Sequence, residues 1–286
     1  MTPETIDWAT CWREQWQKNH DVNRRTDTAS IWDEQDAARK FYRMSYEKNG
    51  ERVNRTIAGL ALTPESRVLD VGAGPGAIAI PVARQVAHVT AVEPSAGMFT
   101  VLEEMLAEED VKNVDCVQKR WEDVNVATDL SAPYDVVFAS FSLDVPDMQE
   151  AIEKMIEASS RYVYIYWFAG EASWETMARD LWPALHGSSE YVSSPKSDII
   201  FNILYAMDIY PHVEHFVYEH IHRFNTEDEA VEYFKPRYFV ETEEQEEILR
   251  EYIMRSLQHD GDTVIVPGHS HRMKIWWDVT EFPVEK

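Results

Sequence analysis

The sequence predicts an α/β fold: a doubly wound, mostly parallel seven-stranded sheet with N-terminal helices ahead of it and a helical lid inserted into it. Three observations carry this. Apolar runs of strand length alternate with helix-length segments from residue 67 to 168. The first run enters a glycine loop, Gly72-Ala73-Gly74-Pro75-Gly76. The next run ends on an acid, Glu93, seventeen residues beyond Gly76. Strands alternating with helices form a parallel sheet covered on both faces, with ligands at the carboxyl ends of the strands.

The elements follow in order. Ile6, Trp8, Trp12 and Trp16 recur at helical spacing. A second helical segment opens at Ser30-Ile31-Trp32-Asp33 and stops near Asn49-Gly50. Strands are expected at Arg67 to Val71, His88 to Val92, Val114 to Val117, Tyr134 to Ala139 and Arg161 to Phe168, with helices at Ala96 to Ala107 and Met148 to Ala158. The rhythm then breaks. Residues 171 to 210 read as two helices separated by turns at His186-Gly187-Ser188-Ser189 and Ser193-Ser194-Pro195. His212 to Phe224 reads as a sixth strand, Thr226 to Leu257 as an acidic helical pair, and Arg272 to Trp277 as a seventh strand. The implied organisation is a helical cap over 1–54, a cofactor-binding core over 55–168, a helical lid over 169–211, and C-terminal strands with an acidic helical insertion over 212–286.

Composition narrows the function. With 51 acidic against 27 basic residues and a net charge of −24, binding to a phosphate backbone is disfavoured, because such binding draws on Lys and Arg displacing counterions. The apolar run Tyr162 to Ala169 is too short to span a bilayer, and Met1 to Thr5 has no secretory character, so a cytoplasmic protein is expected. Two cysteines, Cys11 and Cys116, make neither a disulfide framework nor a four-ligand zinc site. The histidines at 212, 215, 220, 222, 269 and 271 raise the question of a metal, and alternation puts His220 and His222 on one strand face; no carboxylate or cysteine completes a ligand set, so no metal is expected.

The glycine loop needs a backbone that turns tightly and meets a ligand without an intervening Cβ. Its pattern also fits a dinucleotide fingerprint. Asp70 tilts the balance: a carboxylate two residues before Gly72 would repel a pyrophosphate but favour a ligand carrying an ammonium and a sulfonium. Glu93 stands where an acid can accept both ribose hydroxyls, and Pro94 and Ser95 would start the next helix.

The segments Val68–Gly76, Ala91–Met98, Gln118–Val124 and Tyr134–Leu143 resemble the successive cofactor motifs of class I S-adenosylmethionine-dependent methyltransferases of the UbiE-like type (the methyltransferase type 11 group). The resemblance covers roughly residues 55 to 168. It implies the Rossmann-like methyltransferase fold, S-adenosylmethionine as cofactor, and a cofactor site made by Asp70, Gly72, Ala73, Gly74, Gly76, Glu93, Pro94, Met98, Trp121, Glu122, Ser140 and Phe141. The chain departs from the family at Arg120, which stands where an acid usually meets the adenine amino group. Trp121 is then expected to cover the adenine and Glu122 or Asp123 to take the amino group. Asp144-Val145-Pro146 replaces a frequent histidine pair. Tyr42 and Tyr46, in a segment resembling the helix that closes over the cofactor, are candidates to reach cofactor or acceptor.

No catalytic residue can be named, because in-line methyl transfer rests mainly on positioning. The expected acceptor is a small, partly apolar molecule held by residues 1 to 50 and 170 to 210, with Trp167, Phe168, Trp174, Trp182, Phe201, Tyr205 and Tyr210 as lining candidates. Two other readings stay open: a protein side-chain methyltransferase, and a protein that binds a nucleotide or NAD without methylating.

Overall fold

The computed structural model describes residues 6–22, 32–187 and 191–282. The expected segment start at Ser30-Ile31, the Ser188-Ser189 turn and Met1 to Thr5 lie outside them. Three helices lead: α1 (Trp8–Val22), α2 (Gln35–Ser45) and α3 (Glu47–Ala58). The core follows as β1 (Arg67–Val71), α4 (Ala79–Ala83), β2 (His88–Val92), α5 (Ala96–Glu108), β3 (Val114–Val117), α6 (Val126–Asp129), β4 (Tyr134–Ser140), α7 (Met148–Ala158) and β5 (Ser159–Phe168). Beyond it come α8 (Ser173–His186), α9 (Ser197–Ala206), β6 (His212–Phe224), α10 (Glu227–Phe234), α11 (Glu243–Ser256), β7 (Gln258–Asp260) and β8 (Thr263–Asp278).

The strand order is β3-β2-β1-β4-β5-β8-β6, with β7 added to β8. The first five strands pair in parallel; β8 pairs antiparallel with β5, β6 and β7. The inner parallel strands are fully buried, as at Val68, Leu69, Val136, Val137, Val163 and Ile165, because helices cover both faces.

Three expectations change. Asn49-Gly50 does not end a helical segment. Both residues take left-handed φ values of 58° and 69°, and the chain re-enters helix at once within α3. The last strand starts at Thr263, not Arg272, and pairs with the whole of β6 from His212↔Trp276 to Phe224↔Val264. Pro267 hides this in the sequence, since a proline argues against an interior strand. It is tolerated because β5 pairs only with residues 272 to 278 and β7 only with 263 to 265, leaving no second neighbour at 267.

The third change concerns the lid over 169–211, which divides. In α8, Met177, Leu181 and Leu185 join Val231, Phe234, Leu249, Ile253 and Val266 in a separate apolar cluster. In α9, Ile199, Ile200, Ile203 and Leu204 pack into the main core with Trp12 of α1. The far half of the β6–β8 hairpin therefore runs past the carboxyl ends of the parallel strands as an arm, with α8, α10 and α11 packed on it.

Candidate functional site

The glycine loop leaves β1 at the carboxyl edge. Gly72 (φ 73°) has no room for a side chain, since a Cβ there would lie 2.3 Å from Cβ of Ser142, whose hydroxyl donates to the Val71 carbonyl across the β1–β4 gap. Gly74 (φ 57°) is different: a Cβ there would meet nothing within 4 Å, so its backbone faces open space. The first glycine closes the sheet edge, and the second leaves an approach for a ligand.

Asp70 and Glu93 end neighbouring strands and are 2% and 6% exposed. Glu93 is braced, with Oε2 accepting from the Gly74 amide and Oε1 from the Ser95 amide, both at 2.8 Å. Oδ2 of Asp70 is buried without a hydrogen-bond partner. Burial, then the neighbouring Glu93, raises the Asp70 carboxyl well above its ordinary range, while Arg52 opposes. A carboxylate orphaned in this way in ligand-free protein is suited to a cationic ligand.

Arg52, which the sequence did not single out, comes from α3. It donates to Ser45 Oγ at 2.8 Å and lies close enough to Asp70 to feel its charge. Its signal was present: Arg52 and the buried Thr56 share the inward stripe of α3 at i, i+4. The strap before α2 presses on the start of α5. There Asp33 accepts from the Ala96 amide, and a Cβ at Gly97 would lie 2.4 Å from the Trp32 carbonyl. Met98 is buried beneath this contact with Ala38 and Val101, and Ser95 caps α5 by accepting from the Met98 amide.

Other candidates fall into place unevenly. Gly76 and Ala73 are buried in the loop's base, and Pro94 is half-buried at the end of β2. Phe141, just past β4, holds a left-handed φ of 59° and packs tilted against Phe168 with ring centres 5.0 Å apart; Ser140 Oγ beside it is buried and unpartnered. Trp121 is a correction. Its ring lies in the main core and its indole N–H donates to the Ala151 carbonyl at 3.1 Å, so α7 rather than an adenine takes it. Glu122 is half-buried, and its carbonyl accepts from Lys154. Tyr46 donates to the Ala77 carbonyl beside the glycine loop, whereas Tyr42 donates to Glu109.

The expected aromatic lining also separates. Phe168 and Trp174 meet at the carboxyl edge with their rings 5.5 Å apart. Trp167 is buried and donates to the Pro195 carbonyl, and Trp182 packs against His186 and Tyr191. Phe201 lies half-buried on α9, while Tyr205 and Tyr210 pair on the outer surface, more than half exposed. In α1, Trp12 and Trp16 anchor the helix by donating to the Val145 carbonyl and Asp144.

The arm brings one face of β6 and β8 over this edge. Tyr218, His220 and His222 alternate along β6, opposite Ser270, Gly268 and Val266. Burial holds His220 and His222 neutral, pulling them down to about 3 and about 4. His220 is within 3.2 Å of Ser173 Oγ. His215, His269 and His271 lie on the opposite, exposed face. Among the described residues no group of three His, Cys, Asp or Glu side chains is arranged to hold a metal ion, and no helix is long and apolar enough to cross a membrane.

Residues 68–161 match the family model described as "Methyltransferase domain". Two solved structures share the fold at a TM-score of 0.53 and 14% identity. One is the YcgJ protein of Bacillus subtilis, with 79% of this chain and 97% of that one covered. The other is a candidate methyltransferase of Bacillus halodurans, with 80% and 99% covered. A Haemophilus influenzae protein described as uncharacterized is 31% identical over 109 residues, which is 38% of this chain and 40% of that protein. The chain thus spans two fifths of that relative's length in the match. Residues 68–161 are thus similar to a methyltransferase domain, on a fold shared with those two structures.

Proposed function

We propose that the whole protein transfers a methyl group from S-adenosylmethionine to a small, partly apolar acceptor. The observation that carries this is the orphaned, buried Asp70 Oδ2 beside the open approach at Gly74. Asp70 receives the cofactor ammonium, Arg52 its carboxylate, and Glu93 the ribose hydroxyls, to which each braced oxygen still offers a second lone pair. Gly72, Ala73 and Gly76 shape the loop, Pro94 and Met98 support the adenosine side, and Ser140 and Phe141 border the methyl position, with Glu122 nearest the adenine amino group. When bound, the cofactor supplies an electrophilic methyl on sulfur, open to in-line attack. The chain's own contribution is orientation and exclusion of water under the arm, worth several powers of ten when the geometry is tight. The acceptor is read as a small molecule because the arm and α8 roof the carboxyl edge, where a protein side-chain methyltransferase would need an open cleft.

Calorimetric titration with S-adenosylhomocysteine, S-adenosylmethionine and NAD tests this. Both sulfur ligands should bind and NAD should not, and Asp70→Ala and Glu93→Ala should each weaken S-adenosylhomocysteine at least tenfold. Binding of NAD alone would overturn the function. Unchanged affinity in both variants would overturn the site.

A further inference from the structure

Arg272 is the second cation of this region and the one with no evident employment. It lies on β8 opposite Phe168 of β5 and is 7% exposed. Nε donates to Ser270 Oγ at 2.8 Å, and Nη1 is buried with no acceptor. Among the described residues no carboxylate pairs with it, although the chain carries 51 acidic residues. Its guanidinium sits over the faces of Phe141 and Tyr218, 4.5 and 4.2 Å from the ring centres. Burial and the nearby Arg52 pull its pKa down only to about 10, so it stays charged at neutral pH. A desolvated cation without a counter-charge is costly unless a ligand completes it.

The geometry limits what that ligand is. The guanidinium lies over two aromatic rings and its buried Nη1 lacks an acceptor, so the ligand that completes it is an anion able to take its N–H donors, as a carboxylate does. Phe141, Phe168 and Tyr218 are only half-buried, so the charge lies behind an aromatic rim that a small molecule can reach. Phe141 also borders the site read above for the transferring methyl, two strands from β8 in the sheet order. Arg52, closer to Asp70, is already assigned to the cofactor.

We infer that Arg272 is the specificity-determining residue for the methyl acceptor, which is a small carboxylic acid with an apolar or aromatic body held against Phe168, Trp174 and Tyr218. This rests on the methyltransferase reading, and the two fail differently.

The test loads the full-length protein with S-adenosylhomocysteine and titrates it with benzoate, phenylacetate and hexanoate. Phenylacetamide and hexanamide serve as neutral counterparts and inorganic phosphate as a competing anion. At least one carboxylate should bind tenfold or more tightly than its amide. Arg272→Met should lose that binding by at least tenfold. Arg272→Lys, which keeps the charge without the fork, should fall between and carries the test if the methionine variant does not fold. S-adenosylhomocysteine affinity should stay within twofold in both. The inference is overturned if no carboxylate binds, if phosphate binds more tightly, if the variants bind carboxylate like the parent protein, or if they lose the cofactor product instead. Failure of the parent protein to take up S-adenosylhomocysteine overturns the function and this inference together.

Discussion

The two halves of the carboxyl edge are built on opposite principles. Under β1 and β2, the glycine loop, Asp70 and Glu93 come from one contiguous stretch of chain, and Glu93 is fixed by two backbone amides. Under β5 and β8, the facing groups Phe141, Phe168, Tyr218 and Arg272 come from four separate strands or strand ends, and the charge is held by rings and by the Ser270 side chain, which accepts from Nε. The first half is local and preorganised, as the cofactor berth proposed for it requires. The second is assembled by long-range pairing, the arrangement expected where the ligand is particular to this protein.

The contrast can be broken most strongly where the arm meets the core. Glu175 of α8 pairs with Lys196 just before α9, Nζ lying 2.6 and 2.8 Å from its two oxygens, with both side chains buried. Glu175→Ala should cost about 3–5 kcal/mol by stranding a buried ammonium. Thermal or denaturant unfolding would read this, with S-adenosylhomocysteine affinity of the folded protein unchanged. A comparable loss of affinity would mean that the halves are not separable.

Next come the two glycines. Gly72→Ala places a Cβ 2.3 Å from Ser142 in a left-handed backbone and should cost about 3 kcal/mol of stability. Gly74→Ala meets open space and should cost roughly 1 kcal/mol while weakening S-adenosylhomocysteine. Denaturant unfolding beside calorimetry should thus separate a structural from a binding glycine.

Asp70 gives the pH signature. Its folded pKa is raised, so the advantage of the buried neutral carboxyl is complete below the unfolded value of about 4 and is lost as pH rises through the folded value. Asp70→Asn should therefore gain stability relative to the parent protein between pH 5 and 8 in ligand-free denaturation. It should also lose roughly tenfold or more in cofactor-product affinity, a charged hydrogen bond being worth about 1.5–3 kcal/mol. The smallest effect belongs to Trp121→Phe: about 1 kcal/mol of stability from the lost bond to Ala151, with no change in binding.

Legibility in the sequence followed the same division. The order of strands and the glycine loop were readable because strand, turn and helix signals are local, and Asp70 and Glu93 could be placed by their distance from the glycines. Trp121 was misplaced because whether an aromatic ring meets a ligand or the core depends on where α7 packs, thirty residues later. Arg272 gave only a faint signal, an arginine in alternation with the buried Val264, Val266 and Ser270. Its meaning appears only when β8 pairs with β5 and β6. The lid was readable as helices, but nothing local shows that α8 joins the arm while α9 joins the core.

The length of β8 has a consequence for how such a protein diversifies. One continuous strand is anchored in the sheet over residues 272 to 278 and carries the arm over 263 to 271. On the proposed assignment, substitutions on the inward face of its outer half retune what is accepted without disturbing the donor's berth. On the same assignment Arg272 stands at the junction, where an exchange of one residue would change the class of compound and leave the chemistry performed on it as it was.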